Sequence, residues 1–333
     1  MNIAILGAGA WGTALAISLS ARHRVSLWEY DSAQAAAVAA EQCNRRYLPE
    51  VALPPGLRVT DDIQDALGDA DLALIATPVS ALRSTLSQVA QSPDPVAVVW
   101  ACKGFEAGTA LLPHQVAAEI LPQDFPRGVL SGPSFALEVA RGLPAALTLA
   151  SSDGEFARLT AQALHHARLR IYSSTDVVGV EVGGAVKNVL AIAAGIADGL
   201  GFGYNARAAL ITRGLAEMTR LGLKLGGRAE TLGGLSGAGD LILTCTGDLS
   251  RNRQVGMLLA QQRELSDILG QLGHVAEGVY TVREVHRMAQ ELKVDMPICE
   301  AAYRVLYQGI PAQRAVEDLL NRAPNSEFAA ESR

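Results

Sequence analysis

A glycine-rich turn near the start of the chain constrains the fold more than any other feature. The segment ILGAGAWGTALA places Gly7, Gly9 and Gly12 in the spacing G-x-G-x-x-G, after the apolar run NIAIL and at the start of an Ala- and Leu-rich helical pattern. The first glycine permits a tight turn, the second lets the backbone approach a pyrophosphate, and the third lets helix and strand pack closely. This position predicts a dinucleotide-binding turn; an ordinary tight strand-to-helix turn is the alternative.

The pattern of apolar residues changes once along the sequence. From residue 2 to about 172, short apolar runs alternate with amphipathic stretches such as 79–90 and 154–166, which predicts an α/β fold with an N-terminal Rossmann-like doubly wound sheet. After Tyr172 the strand pattern gives way to long helical runs, which predict a C-terminal all-α domain. We expect a dinucleotide-binding domain at 1–175, a helical substrate and catalytic domain at 176–320 and a polar tail at 321–333. The predicted helical runs are 179–199, 206–222, 252–262, 278–292 and 299–307.

Composition excludes several classes of protein. The 28 basic and 34 acidic residues give a net charge of −6, so there is no basic footprint for nucleic acid. Gly, Lys, Asp or Pro interrupts the apolar runs, which predicts no membrane span. The apolar start lacks a basic region and contains three glycines, which argues against a signal peptide. The four cysteines lie far apart and form no metal-binding pattern, so we expect no metal and a reduced, cytoplasmic setting.

The end of the second predicted strand bears on which dinucleotide binds. The segment VSLWEYD ends in Glu29, Tyr30 and Asp31, seventeen residues after the third glycine of the turn. A carboxylate here binds the ribose hydroxyls of NAD, whereas a cation accommodates the additional phosphate of NADP. Glu29 therefore favours NAD, although Arg45 and Arg46 in CNRRYLP offer cations that would favour NADP.

A single basic residue interrupts a long apolar stretch in the second half. Lys187 is the only charged residue between Val182 and Ala197, and its neighbours one turn away are Gly183 and Ala191. Burying an unpaired ammonium costs several kcal/mol, so such a lysine either faces a ligand or extends its stem along an apolar surface to water. A poorly hydrated lysine has a lowered pKa and is suited to proton transfer.

Three further segments hold polar groups at predicted ends of elements. WACKGFE sets Lys103 beyond the fifth apolar run, at the sheet edge where ligands bind in doubly wound folds. SGPSFA offers another strand-to-helix junction, and GAGDLILTCTGDLSRNRQ supplies an acid in a Gly-rich turn and then a Ser-Arg-Asn corner suited to an anion. Each also has an ordinary explanation, as a surface charge, a helix cap or a turn former. The candidates are Lys103, Gly132, Ser134, Ala136, Asp240, Ser250, Arg251 and Asn252.

Taken together, these segments closely resemble the NAD(P)-dependent glycerol-3-phosphate dehydrogenases of the bacterial type. The resemblance runs in order from residue 3 to about 280. It implies a Rossmann-like domain and a helical domain with a site in the cleft between them. The segments that carry it are GAGAWGTALA, NRRYLP, ACKGFE, SGPSFA, EVGGAVKNVLAIAAGIADGLGFGYNARAALITRGLAEM, SGAGDLILTC, SRNR and VAEG.

The resemblance also implies a reaction and roles for residues. The reaction is reversible hydride transfer between NAD(H) or NADP(H) and C2 of dihydroxyacetone phosphate or sn-glycerol 3-phosphate, supplying glycerol 3-phosphate for phospholipid synthesis. Lys187 matches the catalytic lysine. The matched substrate contacts are Lys103, Gly132, Ser134, Lys187, Asp240, Ser250, Arg251 and Asn252; the matched cofactor contacts are Ala10, Trp11, Lys103, Ala136, Arg251, Val275 and Glu277. Glu29 and Tyr30 depart from a pattern in which many members carry a small residue followed by Arg or His.

Two other functions are compatible with parts of this pattern. A hydroxyacid or 6-phosphogluconate-type dehydrogenase also joins a Rossmann unit to a helical domain, but the Ser-Arg-Asn corner and the adjacent Lys187-Asn188 pair argue against it. A non-catalytic dinucleotide sensor would not need two lysines and an anion corner. Apolar helical faces in the second domain suggest a homodimer by analogy with the fold alone.

Overall fold

A single eight-stranded sheet occupies the first half of the protein. The computed structural model describes residues 1–94, 96–272 and 276–322. The strands are β1 (Asn2–Leu6), β2 (Arg24–Trp28), β3 (Arg58–Thr60), β4 (Leu72–Ile75), β5 (Ala97–Trp100), β6 (Arg127–Ser131), β7 (Ala145–Ala150) and β8 (Leu169–Ser174). Their spatial order is β3-β2-β1-β4-β5-β6-β7-β8, so the chain reverses its direction of travel beside β1, as in doubly wound folds.

One strand pair departs from the parallel arrangement that the sequence predicts. All neighbouring strands are parallel except β6 and β7, which are antiparallel. The helix between them, Ala136–Ala140, has five residues and is about 8 Å long, whereas a five-residue strand spans about 16 Å. This helix is too short to return the chain to the opposite edge, so β7 enters the sheet from the edge at which β6 ends.

Helices cover both faces of the sheet because alternate strand residues point to opposite sides. In β1, Ile3 and Ile5 belong to one apolar core, while Ala4 and Leu6 belong to another. The first core is completed by α1 and α7, the second by α3, α4 and α5. The helices of this half are α1 (Ala10–Ser20), α2 (Ser32–Glu41), α3 (Ile63–Leu67), α4 (Val79–Val89), α5 (Pro113–Ile120), α6 (Ala136–Ala140) and α7 (Gly154–Leu164).

The second half is helical among its described residues, which confirms the predicted fold class. Each of the five predicted helical runs coincides with an observed helix, although the bounds differ by a few residues. Short helices that the sequence analysis did not predict lie between and after them. The helices are α8 (Val177–Gly199), α9 (Gly203–Lys224), α10 (Ala229–Leu232), α11 (Asp240–Thr246), α12 (Arg251–Ala260), α13 (Leu265–Leu272), α14 (Glu277–Leu292), α15 (Pro297–Tyr307) and α16 (Ala312–Leu320).

Helix α8 is the central element of the helical half. Every residue from Gly179 to Ala197 is buried. By length and composition alone this helix could cross a membrane, but 83% of its most apolar window is buried inside the protein. The surrounding parts of the protein therefore cover the apolar surface of α8. Helix α12 crosses α8 very closely, because a Cβ on Gly195 would lie 2.0 Å from the carbonyl oxygen of Arg253.

Candidate active site

A deep cleft of about 1330 Å³ lies between the sheet and the helical half. Parallel strands present their carboxyl ends to this cleft, which is where ligands bind in open α/β sheets. Of the predicted site residues, Gly12 and Gly132 are absent from the described lining, and Val275 lies outside the described residues. The predicted residues that line it are Gly7, Gly9, Ala10, Trp11, Glu29, Tyr30, Lys103, Ser134, Ala136, Lys187, Asp240, Ser250, Arg251, Asn252 and Glu277.

The glycine turn has the geometry that its spacing predicts. Gly7 has φ +114°, a conformation that L side chains rarely adopt. A Cβ on Gly12 would lie 1.9 Å from the carbonyl oxygen of Gly7, so only glycine allows α1 to approach the turn. A Cβ on Gly9 would meet no protein atom within 4 Å. The space beside Gly9 is thus open for an anion at the amino end of α1, and the turn fits a dinucleotide pyrophosphate.

A buried asparagine that the sequence analysis did not single out supports this turn. Asn44 has no exposed surface, and its Nδ2 donates to the carbonyl oxygen of Ala8 at 2.7 Å and to Oγ1 of Thr13 at 2.8 Å. It lies in the NRRYLP segment, which the resemblance included as a unit. Asn44 fixes a carbonyl within the glycine turn, which is a structural reason for a polar residue at this position.

Glu29 lies where the sequence places it, immediately after β2. Its side chain lines the cleft, and its Oε1 accepts a hydrogen bond from the backbone nitrogen of Asp31 at 3.2 Å. Burial raises the pKa of Glu29, and the positive charge of Arg46 partly opposes this effect. Arg46 also lines the cleft, whereas Arg45 pairs with Glu41 on the surface. The carboxylate and one of the two arginines therefore reach the same region of the cleft.

Two lysines from different halves of the molecule share one buried carboxylate. Lys187 Nζ donates to Asp240 Oδ1 at 2.6 Å and to Thr244 Oγ1 at 3.0 Å, and Lys103 Nζ donates to Asp240 Oδ2 at 2.6 Å. Lys103 Nζ also donates to the carbonyl oxygen of Gly132 at 3.2 Å. The burial of the Lys187 ammonium is therefore compensated, because it is paired with a carboxylate inside the protein. Two cations and one anion leave a net positive charge on the cleft wall.

The shared carboxylate shifts the protonation of the cluster. Burial lowers the pKa of Lys187 to about 8, against the attraction of Asp240 and with a further lowering by Lys103. Burial alone would raise the pKa of Asp240, but the two ammonium groups outweigh that effect and hold it below its usual value. Lys187 is thus a proton donor that ionises near neutral pH beside a carboxylate that stays charged.

The position of Asp240 corrects one expectation. The sequence predicts a Gly-rich turn at this residue, but Asp240 is the first residue of α11 and follows a π-helical turn, Leu235–Gly239. That turn packs against α8 at Gly183, where a Cβ would lie 2.5 Å from the carbonyl oxygen of Ser236. Glycine at 183 therefore lets Asp240 reach Lys187, one helical turn further along α8. Thr244, one turn after Asp240 on α11, was not anticipated.

The Ser-Arg-Asn corner forms the amino end of α12. Ser250 is the N-cap, and its side chain accepts a hydrogen bond from the backbone nitrogen of Arg253. Arg251 lines the cleft. Asn252 donates to Asn188 Oδ1 at 3.0 Å and accepts from the backbone nitrogen of Gly278 at 3.1 Å, so its side chain joins α8, α12 and α14. Asn188, which follows Lys187 on α8, is thus bonded to Asn252.

The remaining predicted residues surround this cluster. Gly132 has φ +141°, and its carbonyl oxygen also accepts a hydrogen bond from Ser134 Oγ at 3.0 Å. Ala136 is the first residue of α6, at the cleft wall. Burial raises the pKa of Glu277, the first residue of α14, to about 7, and the opposing charges are those of Lys103, Lys187 and Arg251. The charges of Lys103, Lys187 and Arg251 all act on Glu277, so these four groups lie together in the cleft.

Comparisons with known proteins cover nearly the whole chain. Over 98% of this chain and 100% of the relative, it is 62% identical to a glycerol-3-phosphate dehydrogenase (NAD(P)+) of Nitrosospira multiformis. It is 59% identical to that of Nitrosomonas eutropha over 98% of this chain and 99% of the relative. The solved structure of glycerol-3-phosphate dehydrogenase from Coxiella burnetii superimposes with a TM-score of 0.92 at 43% identity, covering 96% of this chain and 98% of that chain.

The two sides of the cleft match two family models. Residues 2–157 match the N-terminal model of NAD-dependent glycerol-3-phosphate dehydrogenase, and residues 176–317 match its C-terminal model. The first match contains the glycine turn and Lys103, and the second contains Lys187, Asp240 and the Ser-Arg-Asn corner. With both walls of the cleft accounted for, the chain belongs to the NAD-dependent glycerol-3-phosphate dehydrogenase family.

Proposed function

We propose that this protein catalyses the reversible NAD(P)-dependent reduction of dihydroxyacetone phosphate to sn-glycerol 3-phosphate. The observation that carries the proposal is the pairing of Lys187 and Lys103 with one carboxylate, each at 2.6 Å, on the wall of a cleft that begins at a dinucleotide-binding turn. When bound, the nicotinamide would supply a hydride to C2 of the substrate or accept one from it. The product, sn-glycerol 3-phosphate, is used in phospholipid synthesis.

The protein's own groups complete the transfer with a proton. As C2 of the ketone receives a hydride, its oxygen gains negative charge, and the Lys187 ammonium donates a proton to it. Asp240 and Thr244 orient that ammonium, and the lowered pKa lets the same lysine accept the proton in the reverse direction. Lys103 provides a second cation beside the developing charge. The overall change is one hydride to carbon and one proton to oxygen.

The phosphate of the substrate is assigned to the corner of Ser250, Arg251 and Asn252. A guanidinium together with free N-H groups at the start of a helix binds a dianion well, and this corner lies at the amino end of α12 in the cleft wall. Holding the phosphate away from the reacting carbon positions the ketone for hydride transfer. Gly132 and Ser134 complete the proposed substrate contacts, and Ala10, Trp11, Ala136, Arg251, Val275 and Glu277 the proposed cofactor contacts.

The direct test is a spectrophotometric assay of NADH oxidation that depends on added dihydroxyacetone phosphate. Activity with this ketone, and no reduction of NAD+ with hydroxyacids, supports the proposal. Reduction of NAD+ coupled to oxidation of a hydroxyacid would instead favour a 6-phosphogluconate-type enzyme, and cofactor binding without turnover would favour a sensor. Running the assay with NADH and NADPH in parallel also measures the cofactor preference.

The phosphate assignment has its own test. Replacing Arg251 with Ala removes a charged hydrogen-bonding group, so KM for dihydroxyacetone phosphate should rise about tenfold or more. Arg314→Ala is the control, because Arg314 is 69% exposed on α16. An unchanged KM in the Arg251 variant would remove this residue from phosphate recognition.

The proposal extends to the arrangement of the chain. Residues 1–175 form the cofactor domain, 176–320 the substrate domain and 321–333 a polar tail. We also propose a homodimer in the cytoplasm. All four cysteines are free thiols in the structure, which suits a reducing compartment. Sedimentation analysis of the purified protein tests the dimer.

A further inference from the structure

The segment that carries Lys103 is fastened to the helical half of the molecule. Residues 101–112 connect β5 to α5, both of which belong to the sheet half. Yet Phe105, Ala110 and Leu112 belong to the apolar core built around α8. Further along, the backbone nitrogen of Gly108 donates to Glu284 of α14 at 3.1 Å. The position of Lys103 therefore depends on contacts with the helices as well as on the strand that precedes it.

One buried carboxylate of α8 holds both ends of this segment. Glu181 is 4% exposed. Its Oε1 accepts hydrogen bonds from Trp100 Nε1 at 2.8 Å and from the backbone nitrogen of His114 at 2.9 Å, and its Oε2 lies 2.5 Å from His114 Nδ1. Trp100 is the last residue of β5, and His114 lies in the first turn of α5. Glu181 thus binds the last residue before the 101–112 connection and the second residue after it.

The same face of α8 leads from Glu181 to the proposed catalytic lysine. Glu181, Gly184 and Lys187 follow one another at spacings of three residues, which places them on one helical face. A Cβ on Gly184 would lie 3.4 Å from Cγ of Lys103, so the stem of Lys103 passes this helix at the glycine. One helix face therefore contacts the ends of the segment, the stem of Lys103 and the carboxylate that Lys103 binds.

We infer that Glu181 is a positioning residue that acts through Trp100 and His114 to hold Lys103 against Asp240. The inference rests on the proposed function for its kinetic consequence, but not for the geometry it predicts. Without the Glu181 contacts, the ends of the connection lose their polar attachment to α8. The Lys103 ammonium then leaves Asp240 more often, while Lys187, on the helix itself, stays in place.

Because the chain contains few lysines, the exposure of the Lys103 ammonium can be measured without any turnover. The sequence contains four lysines, Lys103, Lys187, Lys224 and Lys293, of which the last two are exposed. Trace acetylation with acetic anhydride, followed by mass spectrometry, gives the reactivity of each amine in the intact protein. In Glu181→Ala, labelling of Lys103 should rise about tenfold relative to Lys224 and Lys293, as expected when local opening exposes a tethered group. Glu181→Gln keeps an acceptor for the two N-H groups, so it should restore most of the protection.

A matched control separates positioning from general loss of stability. Glu217 is 1% exposed on α9 and accepts hydrogen bonds from the backbone nitrogens of Ile298 and Cys299, so Glu217→Ala also removes a buried carboxylate from the helical half. Labelling of Lys103 should remain at the wild-type level in this variant. An equal rise in the Glu217 variant, or no rise in Glu181→Ala, overturns the inference. If Glu181→Ala does not fold, His114→Ala leaves the carboxylate in place and must still raise the labelling about threefold.

Kinetics provide a second, independent readout. In an active enzyme, Glu181→Ala should lower kcat/KM for dihydroxyacetone phosphate about 10²-fold, the scale of a small misplacement in an active site. In a Lys103→Ala background the same substitution should cost less than about threefold, because the group it positions is already absent. A full additional loss would show that Glu181 acts by another route. If the wild-type protein does not use this ketone, the proposed function fails while the labelling experiment still decides the positioning role.

Discussion

Two parts of the cleft, the glycine turn and the lysine cluster, are built in opposite ways. The glycine turn is one continuous segment, and its three glycines lie within six residues. The lysine cluster is assembled from distant segments, since Lys103 and Asp240 are 137 positions apart and Lys187 and Asp240 are 53 positions apart. Backbone shape determines what the first can bind, whereas paired charges determine what the second can do. The local motif therefore depends on few distant contacts, such as the hydrogen bond from Asn44 to Ala8, whereas the assembled cluster depends on every element that supports it.

The largest expected effect is at the lysine cluster. Lys187→Met keeps an apolar stem of similar length but removes the proton donor, so kcat should fall about 10²-fold or more while NADH binding stays nearly unchanged. Stopped-flow turnover and NADH titration measure the two quantities separately. Lys224→Met, on the exposed surface of α9, is the control. Wild-type turnover in the Lys187 variant would remove this lysine from the chemistry.

The glycine turn offers a contrast between two residues three positions apart. A methyl group on Gly12 would collide with the carbonyl oxygen of Gly7, so Gly12→Ala should lower the free energy of unfolding by about 2 kcal/mol. A methyl group on Gly9 meets no protein atom, so Gly9→Ala should unfold close to the wild type but bind NADH about tenfold more weakly. Urea unfolding and NADH titration distinguish the two. Equal NADH affinity in Gly9→Ala and the wild type would contradict the proposed pyrophosphate contact.

Sequence reasoning succeeded where the signal is local. The spacing of the glycines, the alternating apolar runs and the isolation of Lys187 each lie within one segment, and the structure confirms the fold class. It also shows that Lys187, for which the sequence left a ligand-facing and a water-reaching position open, is buried. The parallel arrangement predicted for the sheet is wrong between β6 and β7, because the strand pattern is the same in either direction. The start of α11 at Asp240 was also missed, since glycines that usually mark a turn here allow a π-helical turn to pack on α8.

Contacts between distant segments could not be read from the sequence. Lys103, Asp240 and Lys187 are separate candidates in the sequence, and spacing alone does not show that one carboxylate binds both ammonium groups. Glu181 lies in the same segment as Lys187, but its partners Trp100 and His114 come from the other half of the chain. Only the fold reveals such partners, because nothing in the local pattern specifies them.

The pH dependence of turnover should distinguish the lysine cluster from the glycine turn. Reduction of the ketone needs the protonated form of Lys187, whose pKa is about 8, so kcat should fall as pH rises through that value. Oxidation of the alcohol needs the neutral amine and should rise through the same value. Any pH dependence of the dissociation constant of NADH should come in part from Glu277, a proposed cofactor contact whose pKa is about 7, because the glycine turn has no titratable side chain.

Asp240→Asn provides the control for that profile. Removing the negative charge beside Lys187 takes away the interaction that raises its pKa, so the midpoint should move to lower pH by about one unit. A midpoint that stays in place would mean that another group controls the profile. Because Asp240 also binds Lys103, the absolute rate should fall as well, and the midpoint is the quantity to compare.

The smallest expected effect concerns the cofactor-binding part of the cleft, where the side chain of Glu29 adds to the contacts made by the backbone of the glycine turn. Glu29 places a carboxylate at the end of β2, while Arg46 supplies a nearby cation, so the preference between the two dinucleotides depends on the balance of these charges. We expect the wild type to have a higher kcat/KM with NADH than with NADPH. Glu29→Gln should raise the NADPH to NADH ratio of kcat/KM about threefold to tenfold, whereas Glu155→Gln, on α7 outside the described cleft lining, should leave it unchanged. A wild-type preference of tenfold or more for NADPH would reject the role given to Glu29 and would make Arg46 the residue that selects the cofactor.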